Sequence, residues 1–164
     1  GYDYTQPGAY FTTICTYQRA CALGSIHNRE IKLNDFGHVV QKEWFRTAEL
    51  RQNVHLFLDE FVVMPNHIHG IIWIVGAQRR CAPTQEQFGQ PVAGSLPTII
   101  RSYKSAVTYK INKISGKRRT PFWQRNYYEH IIRTDQELAA IREYIKNNPM
   151  KWDLDRENPK NHKM

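Results

Sequence analysis

Cysteine is scarce in this chain. Cys15, Cys21 and Cys81 are the only three in 164 residues, an odd number with no Cys-x-x-Cys pair. That argues against a disulfide framework and against a cysteine-rich zinc site, and it fits a reducing cytoplasm. Long apolar runs are missing too. The longest, Ile71 to Val75, falls far short of the ~20 residues needed to cross a bilayer. No charged-then-apolar segment opens the chain, so no signal peptide is expected. No internal repeat is visible, which leaves one domain as the natural reading of this length. The hydrophobic share of 41% is that of an ordinary globular protein.

Acidic excess is also absent, and the basic excess is localised. Residues 1–99 hold eight Lys/Arg and eight Asp/Glu, and residues 152–164 hold three of each. Residues 100–151 hold twelve basic and four acidic side chains, so the whole net charge of +8 sits there. A concentrated basic segment is the electrostatic footprint of a polyanion binder, and nucleic acid is the expected partner. A solvated basic face that aids solubility is the plainer alternative.

The element order follows from pattern. Tyr10 to Tyr17 is β-branched and aromatic and reads as a strand. Cys21 to Leu33 carries Gly24 and Asn28 as turn signals and can hold a short hairpin. Asn34 is an expected N-cap for a helix to about Arg51, with Phe36, Val39, Val40, Trp44 and Ala48 at helical spacing. Val54 to Met64 and His67 to Val75 form a predicted hairpin about Pro65-Asn66. Residues 76–97 are rich in Gly, Pro and Gln and are expected to be a mobile loop. Pro97 opens a second helix, with Ile100, Tyr103, Val107, Ile111 and Ile114 in one stripe. Tyr127 to Ile132 is a fourth strand. Thr134-x-x-Glu137 is a capping box for a last helix through Leu138, Ile141 and Ile145, stopped by Pro149. The expected fold is α+β: a ferredoxin-like βαββαβ antiparallel sheet with helices on one face and a further C-terminal helix. The single domain is expected over 1–152, with 153–164 a loose polar tail.

His67-Ile68-His69 sits inside the apolar strand His67–Val75. Alternation puts both imidazoles on one face, where they can share one divalent ion. The spacing alone is weak evidence, since satisfied surface or core histidines give the same pattern. A polar pair in so apolar a strand nevertheless needs a reason. On the last helix Tyr144 and Asn148 are one turn apart, beside the Leu138/Ile141/Ile145 stripe. If that stripe packs on the sheet, the two can face the histidines, with Tyr144 a phenolic nucleophile and Asn148 a carbonyl ligand. The chain has nine tyrosines, and Tyr103, Tyr109, Tyr127 and Tyr128 remain rivals on these grounds.

A family resemblance narrows that choice. Phe61-Val-Val-Met-Pro-Asn-His-Ile-His-Gly70 resembles the HUH motif of the small single-tyrosine transposases. Phe122-Trp-Gln-Arg-Asn-Tyr-Tyr-Glu-His-Ile-Ile-Arg133, with Arg142-Glu-Tyr-Ile-Lys-Asn-Asn-Pro149, is similar to the REP-associated tyrosine transposases. The likeness runs from Tyr10 to Trp152. It implies an HUH endonuclease fold, with His67, His69 and Asn148 as metal ligands, Tyr144 as nucleophile, and Mg²⁺ or Mn²⁺ as the ion. The implied activity is cleavage and rejoining of single-stranded DNA near palindromic hairpins, through a 5′-phosphotyrosine intermediate. A bacterial, cytoplasmic, nucleoid-associated protein is implied, acting as monomer or homodimer.

Arg101, Lys104, Lys117, Arg118, Arg119 and Arg125 are candidate phosphate contacts, and Trp123 is a candidate platform for an unpaired base. Core packing is the alternative for Trp123, Tyr127 and Tyr128. Glu129 and His130 are candidates for orienting the site, with a structural role as the alternative. Two rival functions stand beside the transposase: a non-catalytic module that holds DNA hairpins, and a His-x-His hydrolase unconnected to nucleic acid.

Overall fold

The computed structural model describes residue 4, residues 6–76 and residues 92–162. In chain order these form β1 (Gly8–Cys15), β2 (Gly24–His27), β3 (Glu30–Leu33), α1 (Asp35–Leu50), β4 (Val54–His55), β5 (Phe61–Val63), β6 (His67–Ile74), α2 (Leu96–Ser115), β7 (Tyr128–Ile132) and α3 (Asp135–Asn147). The main sheet is antiparallel. β6 and β1 lie at its centre, β7 flanks β1, and β4 and β5 share the edge beside β6. With β4 and β5 acting together as one strand, this is the expected ferredoxin-like order. β2 and β3 form a separate hairpin. Its turn residues Asn28 and Arg29 both have positive φ, as a two-residue turn matched to strand twist requires.

The strand expected over Val54 to Met64 is broken. A 3₁₀ turn at Leu58–Glu60 separates β4 from β5, and Glu60 is turned inward and buried. Its carboxylate accepts hydrogen bonds from Trp73 Nε1 at 2.6 Å and Arg142 Nε at 2.8 Å, which fixes the bulge. The helices start where capping chemistry dictates. Asn34 Oδ1 accepts from the Gly37 amide at 2.9 Å, Ser95 caps α2, and Thr134 Oγ1 accepts from the Glu137 amide at 3.1 Å. Gly116, in the left-handed region, ends α2. The loop expected over 76–97 falls mostly on 77–91, outside the described residues.

The helices cover both faces of the sheet. α1 and α2 pack on one, burying Tyr10, Ile14, Trp44, Ile68, Ile72, Tyr103 and Val107. Trp44 stacks on Phe61 at 4.8 Å and crosses Gly70 so closely that a Cβ there would lie 2.3 Å from the indole. Expected burial of the α2 stripe holds through Ile111, but Ile114 is exposed. The expectation of helices on one face does not extend to α3. That helix packs on the opposite face, with Ile145 against Ala9, Phe11 and Ile71, and Leu138 and Ile141 alongside. The reason is visible in β1 and β6, which are apolar on both faces and need cover on both. The chain after α3 is not loose. It folds through 3₁₀ turns at Pro149–Leu154 and Pro159–His162, with Asn158 and Glu157 buried.

Candidate active site

Alternation along β6 sends Ile68 and Ile72 toward α1 and α2, and His67, His69 and Ile71 toward α3. Both histidines are buried, at 0% and 4% exposure. Their Nε2 atoms are 3.1 Å apart. Each Nδ1 is held from behind: His67 Nδ1–H donates to Asn66 Oδ1 at 2.8 Å, and His69 Nδ1 is bonded to Thr13 Oγ1 at 2.7 Å. Asn66 is itself oriented, because its Nδ2 donates to the Glu157 carbonyl at 2.6 Å and to the Arg19 carbonyl at 3.2 Å. The two Nε2 atoms thus point at one spot, and the two outer nitrogens fix the rings, the arrangement that orients metal-binding imidazoles.

Burial pushes the His67 imidazole below its ordinary pKa, with the Asp155 and Glu157 carboxylates pulling against it. His69 is pushed well below, by burial, by His67 and by the Arg156 cation. Neutral imidazoles at neutral pH keep lone pairs free for a cation.

Three further groups meet the pair. Asn148, 3% exposed, lies against His67, yet its buried Oδ1 finds no hydrogen-bond partner of ordinary geometry among the described residues. Asp155 Oδ2 is 3.6 Å from His67 Nε2. The Tyr144 ring centroid is 5.2 Å from that of His69 and 6.1 Å from that of Phe11, with 47% of the residue exposed. The donor set, two imidazole nitrogens with amide and carboxylate oxygens beside them, can hold a divalent ion. Two neighbouring ligands of an octahedral ion at ~2.1 Å lie about 3.0 Å apart, close to the 3.1 Å between the histidine nitrogens. The orphaned Asn148 oxygen is a group such an ion would satisfy.

Tyr144, His67, His69 and Asn148 are therefore brought together as the spacing suggested. The rival tyrosines are elsewhere. Tyr103 is buried under α1, donating to the Val40 carbonyl at 2.9 Å, and Tyr109 is exposed on α2. Tyr127 packs against the main core, whereas Tyr128 points the other way onto Phe11.

Several of the expected DNA contacts do not sit as free surface groups. Trp123 is 6% exposed and packs edge-on to Phe122 at 5.0 Å, so it offers no open face to a base. Lys104 donates to the Gln124 and Arg125 carbonyls at 2.6 and 3.1 Å, which makes it a strut for that loop. Arg101, Lys117, Arg118, Arg119 and Arg125 are exposed. Glu129 faces away from the histidines and accepts from Tyr4 Oη at 2.8 Å. His130 shares their face, but it is bonded to Glu137 at 3.0 Å at the start of α3. Neither orients the histidines; Asn66 and Thr13 do. Asn66, Thr13 and Asp155 carry no sequence spacing that marks them, although Asn66 adjoins the His-x-His pair.

No protein-family model matches the chain. It is 41% identical, across 94% of its length and 87% of the relative's, to an uncharacterised protein of Haemophilus influenzae. It is 26% identical, across 91% of its length and 74% of the relative's, to a candidate REP-associated tyrosine transposase of the same organism. Among solved structures, it matches a REP-associated tyrosine transposase bound to a REP hairpin, with a TM-score of 0.63 and 18% identity, covering 92% of this chain and 72% of the other. The chain is thus similar in sequence to a candidate REP-associated tyrosine transposase and shares the fold of a solved one.

Proposed function

We propose that this protein is a metal-dependent single-stranded DNA endonuclease and transposase that cuts and rejoins DNA beside a palindromic hairpin. The observation that carries this reading is the meeting of a half-exposed tyrosine, Tyr144, with a buried histidine pair, 5.2 Å between the Tyr144 and His69 rings. The REP hairpin bound by the solved relative supports hairpin DNA as the substrate.

His67, His69 and Asn148 are the residues that would hold Mg²⁺ or Mn²⁺. Once bound, such an ion withdraws charge from a phosphate and aligns it. The remaining chemistry belongs to the chain. Tyr144 Oη attacks phosphorus in line. The P–Oη bond forms, the P–O3′ bond breaks, the phenolic proton is lost, and the departing oxygen takes up a proton to become a free 3′-OH. One phosphoester replaces another, so the 3′-OH can attack the phosphotyrosine and rejoin the strand without a nucleotide cofactor. Burial of the histidines holds them in place, whereas the exposure of Tyr144 leaves room for a strand. The exposed Lys117-Arg118-Arg119 loop, with Arg101 and Arg125, supplies sequence-independent attraction for phosphates.

The deciding experiment incubates the protein with end-labelled hairpin DNA carrying single-stranded flanks, with Mg²⁺ or Mn²⁺, and resolves the products on a denaturing gel. A downstream fragment linked to the protein through its 5′ phosphate, and an upstream fragment ending in a free 3′-OH, are expected. Hairpin binding without either product would assign a binding module in place of an endonuclease.

A further inference from the structure

The chain beyond α3 returns to the histidines. After the 3₁₀ turn at Pro149–Leu154, Asp155 lies with its side chain 7% exposed and its Oδ2 3.6 Å from His67 Nε2. One ligating atom from each of His67, His69 and Asp155 lies within 4.8 Å of the others. The segment is firmly docked. Asp155 Oδ1 accepts from the Glu157 amide at 2.8 Å, and Glu157 Oε2 accepts from Arg19 Nε at 2.8 Å. The Glu157 carbonyl accepts from Asn66, the residue that orients His67. Trp152 closes over His67, with 6.2 Å between ring centroids.

Charge favours a carboxylate among the ligands, and Asp155 lies within reach. Two imidazoles and an amide are all neutral, and they sit in a buried pocket. A divalent ion held there without a carboxylate would leave its charge uncompensated. Affinity for hard cations is set largely by how many anionic oxygens a site supplies. The second, independent sign of a ligand is Asn148 Oδ1, buried and without a hydrogen-bond partner among the described residues. Resting on the function proposed above, we infer that Asp155 is the anionic ligand of the metal site, so that the segment after α3 completes the centre that β6 and α3 begin. Asn66 ties these parts together: one side-chain amide positions His67 with its oxygen and anchors the returning segment with its nitrogen.

The test measures Mn²⁺ binding by the whole protein, without DNA, by electron paramagnetic resonance and by calorimetry. One ion is expected to bind the wild-type chain. Asp155→Asn keeps an acceptor for the Glu157 amide, and it should weaken Mn²⁺ by about tenfold or more, at least the loss typical of groups that only support a ligand. Asp155→Glu restores the charge and should recover much of that loss. The melting temperature of each variant without metal reports whether the segment stays docked. If Asp155→Asn lowers it, the recovery in Asp155→Glu decides, and failure to recover overturns the inference. If His67→Ala abolishes binding while Asp155→Asn leaves it unchanged, Asp155 is not a ligand although the histidine site stands. If His67→Ala also binds Mn²⁺ normally, the metal reading itself fails.

Discussion

Arg142 donates from Nε and Nη2 to the same oxygen of Glu60, at 2.8 and 2.6 Å, two residues before Tyr144 on the same helix. The Glu60 side chain is wholly buried and its other oxygen takes the Trp73 indole N–H. This joint fixes α3, and with it Tyr144 and Asn148, to the sheet edge. Arg142→Met should strand a buried carboxylate with one partner. A loss of about 2–3 kcal/mol is expected, below the ~3–5 of a wholly buried pair because Arg142 is partly in water. Glu60→Gln keeps one acceptor oxygen and sets its NH2 against the other donor, but it leaves no unpaired buried charge and should cost less. Urea unfolding of the two variants checks the order; equal losses would mean that the joint is ordinary surface pairing.

Tyr144→Phe removes one oxygen and almost no volume, so α3 should pack unchanged. Hairpin affinity should survive while cleavage and joining both vanish. Tyr103→Phe, Tyr109→Phe, Tyr127→Phe and Tyr128→Phe should each still form the adduct, because those rings lie on other faces or beyond Phe11. Peptide mapping that found the DNA on one of those four would overturn the assignment of Tyr144.

Binding should weaken steeply with salt as phosphates release counterions. Neutralising Lys117, Arg118 and Arg119 together should reduce the slope of log affinity against log salt by about 0.7–0.9 for each phosphate left without its cation. Trp123→Leu should instead cost fold stability, since its ring is in the core. An unchanged slope in the triple variant would move the DNA path off that loop.

The histidines predict a dependence of stability on pH in metal-free protein. Burial lowers both folded values below the ordinary one. Below ~6.5 the unfolded chain therefore binds protons that the folded chain refuses. Their contribution is complete above that pH and is lost as pH falls through the folded values, by up to about 1.4 kcal/mol per pH unit for each histidine. Unfolding free energy measured in chelator from about pH 8 to about pH 5.5 should fall over the acidic half of that range. A His67→Gln/His69→Gln variant should fall less. Parallel curves for the two proteins would contradict the lowered values.

Much of this architecture was legible in the residues. Asn34, Thr134-x-x-Glu137 and Pro97 mark helix starts through local backbone chemistry, and the structure keeps each start within a residue or two. The break between β4 and β5 was not legible. Val54 to Met64 has strand composition, and only the pull of Trp73 and Arg142 on Glu60 turns the chain inward there. Trp123 and Lys104 misled for a related reason. A tryptophan or lysine in a basic stretch looks the same whether it faces solvent, a core or a pair of carbonyls.

By itself, the sequence determined what is periodic or local: the alternation that puts His67 and His69 on one face, the single turn between Tyr144 and Asn148, the caps, and the confinement of positive charge to residues 100–151. The tertiary structure alone decided which face α3 covers, and so whether Tyr144 meets the histidines at all. It also decided that Asn66 and Thr13 hold the imidazoles and that Asp155, eleven residues beyond Tyr144, returns to them. Contacts of that kind join residues from strands, turns and tail whose separations follow no period. They are selected by burial: a polar group taken from water must find a partner wherever the packed chain presents one.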